Sequence, residues 1–348
     1  MYGAASAPFS EVGREPLGIG AQGCPLPQSE FELIGKYFSR LGAQRSDVRI
    51  GVGDDGAVVM PPSSRELVMV TDTLVEGVHF PVNSPPASIG HRAFAVNLSD
   101  LAAMGAEPAW GLLALTIPRS DEAWIAQFAR AAGDLCRRHG VSLVGGDTTR
   151  GPLAMTVTLI GIAPIGVALE RKGGQAGDAI FVSGSPGDAA AGLALEQNRL
   201  HVTDPMSAQI LRDRFLFPTP RCEIGVALRG LASACIDVSD GLGGDLEKLC
   251  AASGCGAEVD AAALPVSEAL LGAVGRELAR EYALTGGDDY ELLFTVPLAR
   301  LGAMTSAVAH GLGPVTRIGS LAPGNGVRVF ARGGVMQFSG SGFDHFAR

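Results

Sequence analysis

Aspartate in this chain recurs where solvated carboxylates are seldom found, between glycine and a β-type run. The strings are Gly53-Asp54-Asp55-Gly56, Val70-Thr71-Asp72-Thr73, Asn97-Leu98-Ser99-Asp100, Gly145-Gly146-Asp147-Thr148-Thr149, Ile236-Asp237-Val238-Ser239-Asp240-Gly241 and Gly286-Gly287-Asp288-Asp289. Carboxylates on a polar helix face stand among Lys and Arg. These stand at the ends of apolar stretches, where they are positioned and partly desolvated. An isolated buried charge is costly, so each needs a partner. Nearby cationic side chains are too few, and divalent metal is the simplest source of the missing positive charge. Asp with Thr and Ser, and no adjacent Cys or His, is a hard-oxygen set that suits Mg²⁺ better than Zn²⁺. Mg²⁺ held this way completes its shell with phosphate oxygens, so an acidic chain can still take a phosphate-bearing ligand. Taken singly, each Asp-Gly is also ordinary turn or cap chemistry. Caps do not call for repeated Gly-Gly-Asp.

The remaining composition narrows the class. With 348 residues, 47% hydrophobic and 18% charged, the chain buries enough apolar surface to fold, as about two domains. Its 48 glycines are about twice average usage and point to turns and loops that let backbone approach a ligand. A net charge of −9 without any Lys/Arg block argues against nucleic acid and anionic membranes as partners. The longest apolar stretch, Met155 to Leu169, is interrupted by Thr156, Thr158 and Pro164 and does not read as a membrane span. Residues 1–28 lack the basic start and apolar core of a signal peptide and read as a loose extension. Six cysteines without a C-x-x-C pattern suggest reduced thiols in a cytoplasmic protein rather than disulfides or zinc.

Along the chain, Ser29 with Glu32 forms a capping box, and Phe31, Ile34, Phe38 and Leu41 predict a helix ended by Gly42. Strands are expected near 48–52, 66–71, 110–117, 142–144 and 155–162. An amphipathic helix is expected over 86–104, and a second one capped by Ser120 with Arg137, Arg138 and His139 at its end. The Gly-rich stretch after Pro164 marks a boundary, dividing the chain into 29–165 and 166–348. The second half should hold helices near 186–197, 220–230, 240–253 and 298–311, with strands near 234–238, 290–296, 315–321 and 327–331. Both halves mix strands and helices without one βαβ pattern, which predicts α/β (α+β) layers rather than a barrel.

Gly51-Val52-Gly53-Asp54-Asp55-Gly56 matches the dinucleotide fingerprint literally, but Ala57 to Pro62 cannot open the helix that the motif requires, and two aspartates would repel pyrophosphate. No P-loop, G-x-S-x-G or H-E-x-x-H occurs. Of the histidines, His79 alone sits amid the aspartate motifs.

With these strings assembled, the chain resembles the thiamine-monophosphate kinases of the PurM-like group, from about Ser29 to Phe346. The strings are Gly53 to Asp55, Thr71 to Phe80, Ala95 to Ala106, Val144 to Gly151, Ile236 to Leu242, Gly286 to Phe294 and Gly342 to Phe346. The resemblance implies a two-domain fold, an N-terminal α/β domain whose sheet joins a second copy in a barrel-like homodimer core, and a C-terminal α+β domain. It implies Mg²⁺ ligands at Asp55, Thr71, Asp72, Asp100, Asp147, Asp237 and Asp240. ATP contacts are implied at Gly146, Asp147, Arg171 and Ser239, and thiamine monophosphate contacts at His79, Asp288 and Phe343. Asp288 stands where the family usually carries Glu, shortening that reach by one methylene. Val70 stands where a Ser is common. The implied reaction moves the γ-phosphoryl of ATP onto thiamine monophosphate in the cytoplasm. The acceptor phosphate is mostly deprotonated at pH 7, so no general base is expected. Another ATP-using PurM-like enzyme and a metal-dependent phosphohydrolase remain alternatives.

Overall fold

The computed structural model describes residues 30–331 and 334–336. The extension 1–28, the Ser29 cap and Phe343 lie outside the described residues. The chain opens with α1 (Glu30–Leu33), which passes directly into a π-helical turn at Ile34–Phe38. The expected regular helix gives way here. Leu33 and Phe38, five residues apart, are both buried, and a widened turn closed by Ser39 N–H to the Ile34 carbonyl aligns that spacing.

Strands β1 (Val48–Ile50) and β2 (Val58–Val59) form a small ribbon. Then follow β3 (Arg65–Val75), α2 (Pro86–Ala103), β4 (Glu107–Ile117), α3 (Glu122–Arg138), β5 (Ser142–Arg150) and β6 (Ala154–Pro164). β3, β6, β4 and β5, in that order, make a four-stranded sheet with α2 across one face and α3 packed on α2. The cap of α3 is Asp121 rather than Ser120: its Oδ1 accepts the Trp124 amide at 3.1 Å.

Residues 165–178 carry no strand or helix, and a second series begins with β7 (Ala179–Ser183). It continues through α4 (Asp188–Glu196), α5 (Pro205–Leu216), α6 (Cys222–Ala227), β8 (Ala234–Val238), α7 (Leu242–Ser253) and β9 (Gly256–Asp260). After these come α8 (Glu268–Val274), α9 (Arg276–Thr285), β10 (Glu291–Val296), α10 (Leu301–Ala309), β11 (Val315–Ala322), β12 (Val327–Ala331) and β13 (Gly334–Met336). The strands form a seven-stranded sheet in the order β13-β12-β9-β11-β7-β10-β8. Its one parallel pair is β12 with β9. The architecture is α+β, as the mixed pattern predicts.

Helix α2 is not the amphipathic surface helix that its spacing suggests. All its residues except Pro86, Ala87 and Asp100 are buried, because α3, the four-stranded sheet, α6 and β8 pack around it. Gly225 makes the α6 contact possible, since a Cβ there would sit 2.0 Å from the Ala102 carbonyl oxygen. Asp100 is the exception within the helix body because its side opens onto a cleft.

Candidate active site

The main cavity, about 990 Å³, is lined from both series of elements. Thr71, Asp72 and Thr73 come from β3, His79 from the following loop, and Arg92 and Asp100 from α2. Asp237 from β8, Ser239 and Asp240 before α7, and Asp288 and Tyr290 before β10 complete the opposite wall. The strand-end aspartates therefore converge, although their motifs are spread over more than 200 residues of sequence.

Asp72, Asp100 and Asp237 meet where β3, α2 and β8 come together. Burial and the charges of Asp237 and Asp72 push the Asp100 carboxyl up to about 9, and it shares a hydrogen bond with Asp72. Burial pushes Asp237 up to about 6, while Ser99 Oγ holds it back by donating to its Oδ2 at 2.8 Å. Arg171 favours the charged forms of both, from the strandless stretch between β6 and β7. Burial, reinforced by neighbouring carboxylates, raises Asp100 and Asp237 above the usual carboxylate range, the mark of a set short of positive charge. Their oxygens suit a hard divalent cation; the Ser239 hydroxyl and, from the face of β3 opposite to Asp72, the Thr71 hydroxyl also line the cavity. Among the described residues no three His, Cys, Asp or Glu side chains already close into a metal-binding group. A cation here would complete its shell with ligand oxygens or water.

The Ser239-Asp240 loop is held from below. Asp245, buried in the first turn of α7, accepts both the Ser239 amide at 2.9 Å and the Asp240 amide at 3.0 Å. Lys248 donates to Asp245 and pairs with Asp240. Elsewhere in the lining, the Val75 amide donates to His79 Nδ1 at 2.9 Å, which places the ring proton on Nε2. Asp288 pairs with Arg92.

Asp55 and Asp147 fall outside this lining. Asp55 sits exposed in the β1–β2 loop, its amide donating to Asp54 Oδ1 at 2.9 Å. Gly145-Gly146-Asp147 does not end its strand, as its composition suggests, but continues β5 through a register shift against β4. Gly146 has φ +149°, and a Cβ there would lie 1.9 Å from the Leu113 carbonyl oxygen, so that position admits glycine alone. In register, Thr73, Thr156, Ala114 and Asp147 form one row across the sheet. Asp147 thus shares the sheet face opposite to the one that Asp72 presents to α2, three strands away, about 14 Å.

Composition does not single out Arg92, Asp245 or the buried cluster behind Asp288. Glu291, with no exposure, accepts from Arg214, Arg221 and Ser183. Asp289, equally buried, accepts the Gly187 and Ala189 amides at the start of α4. Tyr-Glu after Gly-Gly-Asp-Asp is the available signal for this platform.

Comparison with known proteins places the chain. The family model of AIR synthase related protein, N-terminal domain, matches residues 53–163, and that of the C-terminal domain matches 175–332. The thiamine-monophosphate kinase of Escherichia coli (strain K12) is 49% identical over 319 residues, 91% of this chain and 98% of that protein. The chain belongs to the thiamine-monophosphate kinases. The crystal structure of the Stenotrophomonas maltophilia K279a kinase has a TM-score of 0.78 and 47% identity, covering 82% of this chain and 92% of that one. AaThiL complexed with AMPPCP and TMP has a TM-score of 0.73 and 33% identity, covering 85% and 92%. The fold is PurM-like, as the resemblance implies, and the chain is an enzyme, a thiamine-phosphate kinase.

Proposed function

We propose that the enzyme transfers the γ-phosphoryl of ATP directly and in line onto the phosphate of thiamine monophosphate, giving thiamine diphosphate and ADP. The observation that carries this reading is the convergence of Asp72, Asp100 and Asp237 in one cavity, with Arg171 within electrostatic reach. A relative bound to AMPPCP, an ATP analogue, and TMP supports the substrate pair. The acceptor phosphate needs no base at neutral pH. The chain's task is to bring two anions together and align them. Asp72, Asp100, Asp237 and Asp240, with Thr71, would hold Mg²⁺, which when bound screens phosphate charge and orients the transferred group. Ser99 and Asp245 fix two of these donors by hydrogen bonds. Ser239 and Arg171 would contact nucleotide, and His79 and Asp288 the acceptor. For Asp55, Gly146, Asp147 and Phe343 the assignments rest on the resemblance alone.

We take 29–165 as the nucleotide- and metal-holding domain and 166–348 as the second domain. A homodimer is part of the same reading. The sheet face away from α2 and α3 presents Leu67 and Met69 of β3 and Leu112 of β4 to solvent, Met69 at 66%. A second copy would cover these apolar side chains. The five described cysteines are free thiols, and no described helix is long and apolar enough to cross a membrane; a cytoplasmic location belongs to the same reading.

The test is product analysis with Mg-ATP, with and without thiamine monophosphate. Equal thiamine diphosphate and ADP, formed only with the thiamine substrate, are expected, with inversion at a chiral γ-phosphorus. ADP formed regardless of acceptor would mean a phosphohydrolase, and ATP-dependent turnover of another acceptor would mean a different PurM-like enzyme.

A further inference from the structure

We infer that Arg92 is a positioning residue, clamping one oxygen of Asp288 so that the other faces the cavity as a directed hydrogen-bond acceptor for the amino group of the phosphorylated acceptor. This rests on the reading of Asp288 as an acceptor contact. Arg92 lies on α2, in the first series of elements, yet its guanidinium crosses to the second and is 3% exposed. Nη1 donates to the Phe215 carbonyl at 2.8 Å, and Nη2 pairs with Asp288 Oδ1. The guanidinium carbon lies 4.6 Å from the Phe215 ring centroid and 5.5 Å from that of Tyr290. One cation therefore ties α2, the end of α5 and the segment before β10 at the cavity wall. Its Nε is buried without a partner, a penalty of the kind a structure retains when the rest of the group is committed elsewhere.

Asp288 is held just as narrowly. It has φ +71°, its amide donates to the Ser239 carbonyl at 2.8 Å, and Tyr290 Oη donates to Oδ1 at 3.3 Å. Both side-chain donors meet Oδ1, and among the described residues no hydrogen bond engages Oδ2. The side chain keeps 27% exposure into the cavity. Because the Arg92 charge offsets that of Asp288, Oδ2 presents direction more than bare negative charge. A cationic ring would gain little from a neutralised pair, whereas an N–H donor would gain a fixed partner. In thiamine monophosphate that donor is the amino group of the pyrimidine, at the end remote from the phosphate.

The experiment compares thiamine monophosphate with its 4-oxo analogue, oxythiamine monophosphate, in wild type, Asp288→Asn, Arg92→Met and Arg92→Gln. Wild type should prefer the amino substrate by at least about 10-fold in kcat/KM, the scale of a missing hydrogen bond. Asp288→Asn and both Arg92 variants should lose most of that preference through a raised KM for the acceptor. KM for ATP should stay within about 2-fold, and Arg92→Met/Asp288→Asn should be no worse than Asp288→Asn alone. If Asp288→Asn leaves both KM and preference intact, Asp288 is not an acceptor contact, and the reading beneath the proposal fails. If Asp288→Asn loses the preference while both Arg92 variants keep it, the clamp itself is overturned. Additive losses, a parallel rise in KM for ATP, or failure of both Arg92 variants to fold would make Arg92 a structural residue and equally overturn it.

Discussion

Replacing Asp100 with Asn should stabilise the metal-free enzyme in mildly alkaline buffer, although the residue sits at the centre of the cleft. Burial and the Asp237 and Asp72 carboxylates raise the folded-state pKa of Asp100 from 3.8 to about 9. The folded state then holds a proton that the unfolded state releases. Asp100's contribution to stability is present in full below the unfolded value and is lost as pH rises toward the folded one. One differentially bound proton changes stability by ~1.4 kcal/mol per pH unit. From pH 6.5 to 8.5, inside that window, wild type should lose ~2.7 kcal/mol relative to Asp100→Asn. His91 and His139, whose pKa values burial lowers, act below this range and cancel in the comparison. The assay is urea unfolding with excess chelator at pH 6.5, 7.5 and 8.5, comparing the slopes of stability against pH. Parallel slopes would refute the argument that these carboxylates crowd without a cation. Adding millimolar Mg²⁺ should close the gap by stabilising wild type selectively.

Asp72→Asn should lower turnover about 100-fold or more with the fold retained by circular dichroism, the scale of removing a group that stabilises transferring charge; near-normal kcat would remove it from the set. Gly146→Ala should destabilise by at least about 2 kcal/mol in thermal unfolding, because both φ +149° and the Leu113 carbonyl forbid a Cβ. Glu291→Gln should lose about 3–5 kcal/mol in urea unfolding, since it leaves Arg214 and Arg221 facing a neutral buried group; a loss under 1 kcal/mol would mean water replaces the carboxylate.

The aspartate strings mark most of the cleft from sequence alone, because desolvated carboxylates between glycines and β-runs have few purposes. Asp72, Asp100, Asp237, Asp240 and Asp288 do come to one cavity. Asp147 carries the same signature yet stands in the row of Thr73, on the face opposite to Asp72 and three strands from β3, since strand order and register and not composition decide where a residue comes to lie. Arg92 leaves no mark in the sequence. An arginine within an apolar helix looks like an ordinary surface residue until α5 and the Asp288 segment close over it. Helix α2 itself reads as amphipathic because Asn97, Ser99 and Arg92 are polar, whereas tertiary packing buries all three. Helices α8 and α9 are hard to read because Gly272 and Gly275 break the apolar period. The π-turn at Ile34–Phe38 is invisible to a 3.6-residue template.

The central claim is that cleft aspartates hold the metal that lets two phosphate-bearing substrates meet. Thiamine diphosphate formation should be followed against free Mg²⁺ at saturating Mg-ATP and thiamine monophosphate, in wild type and Asp72→Asn. The wild-type rate should keep rising with free Mg²⁺ after all ATP is complexed, and Asp72→Asn should need much more of the ion for any rise. A wild-type rate that saturates once ATP is complexed, with the same Mg²⁺ dependence in Asp72→Asn, would contradict the account.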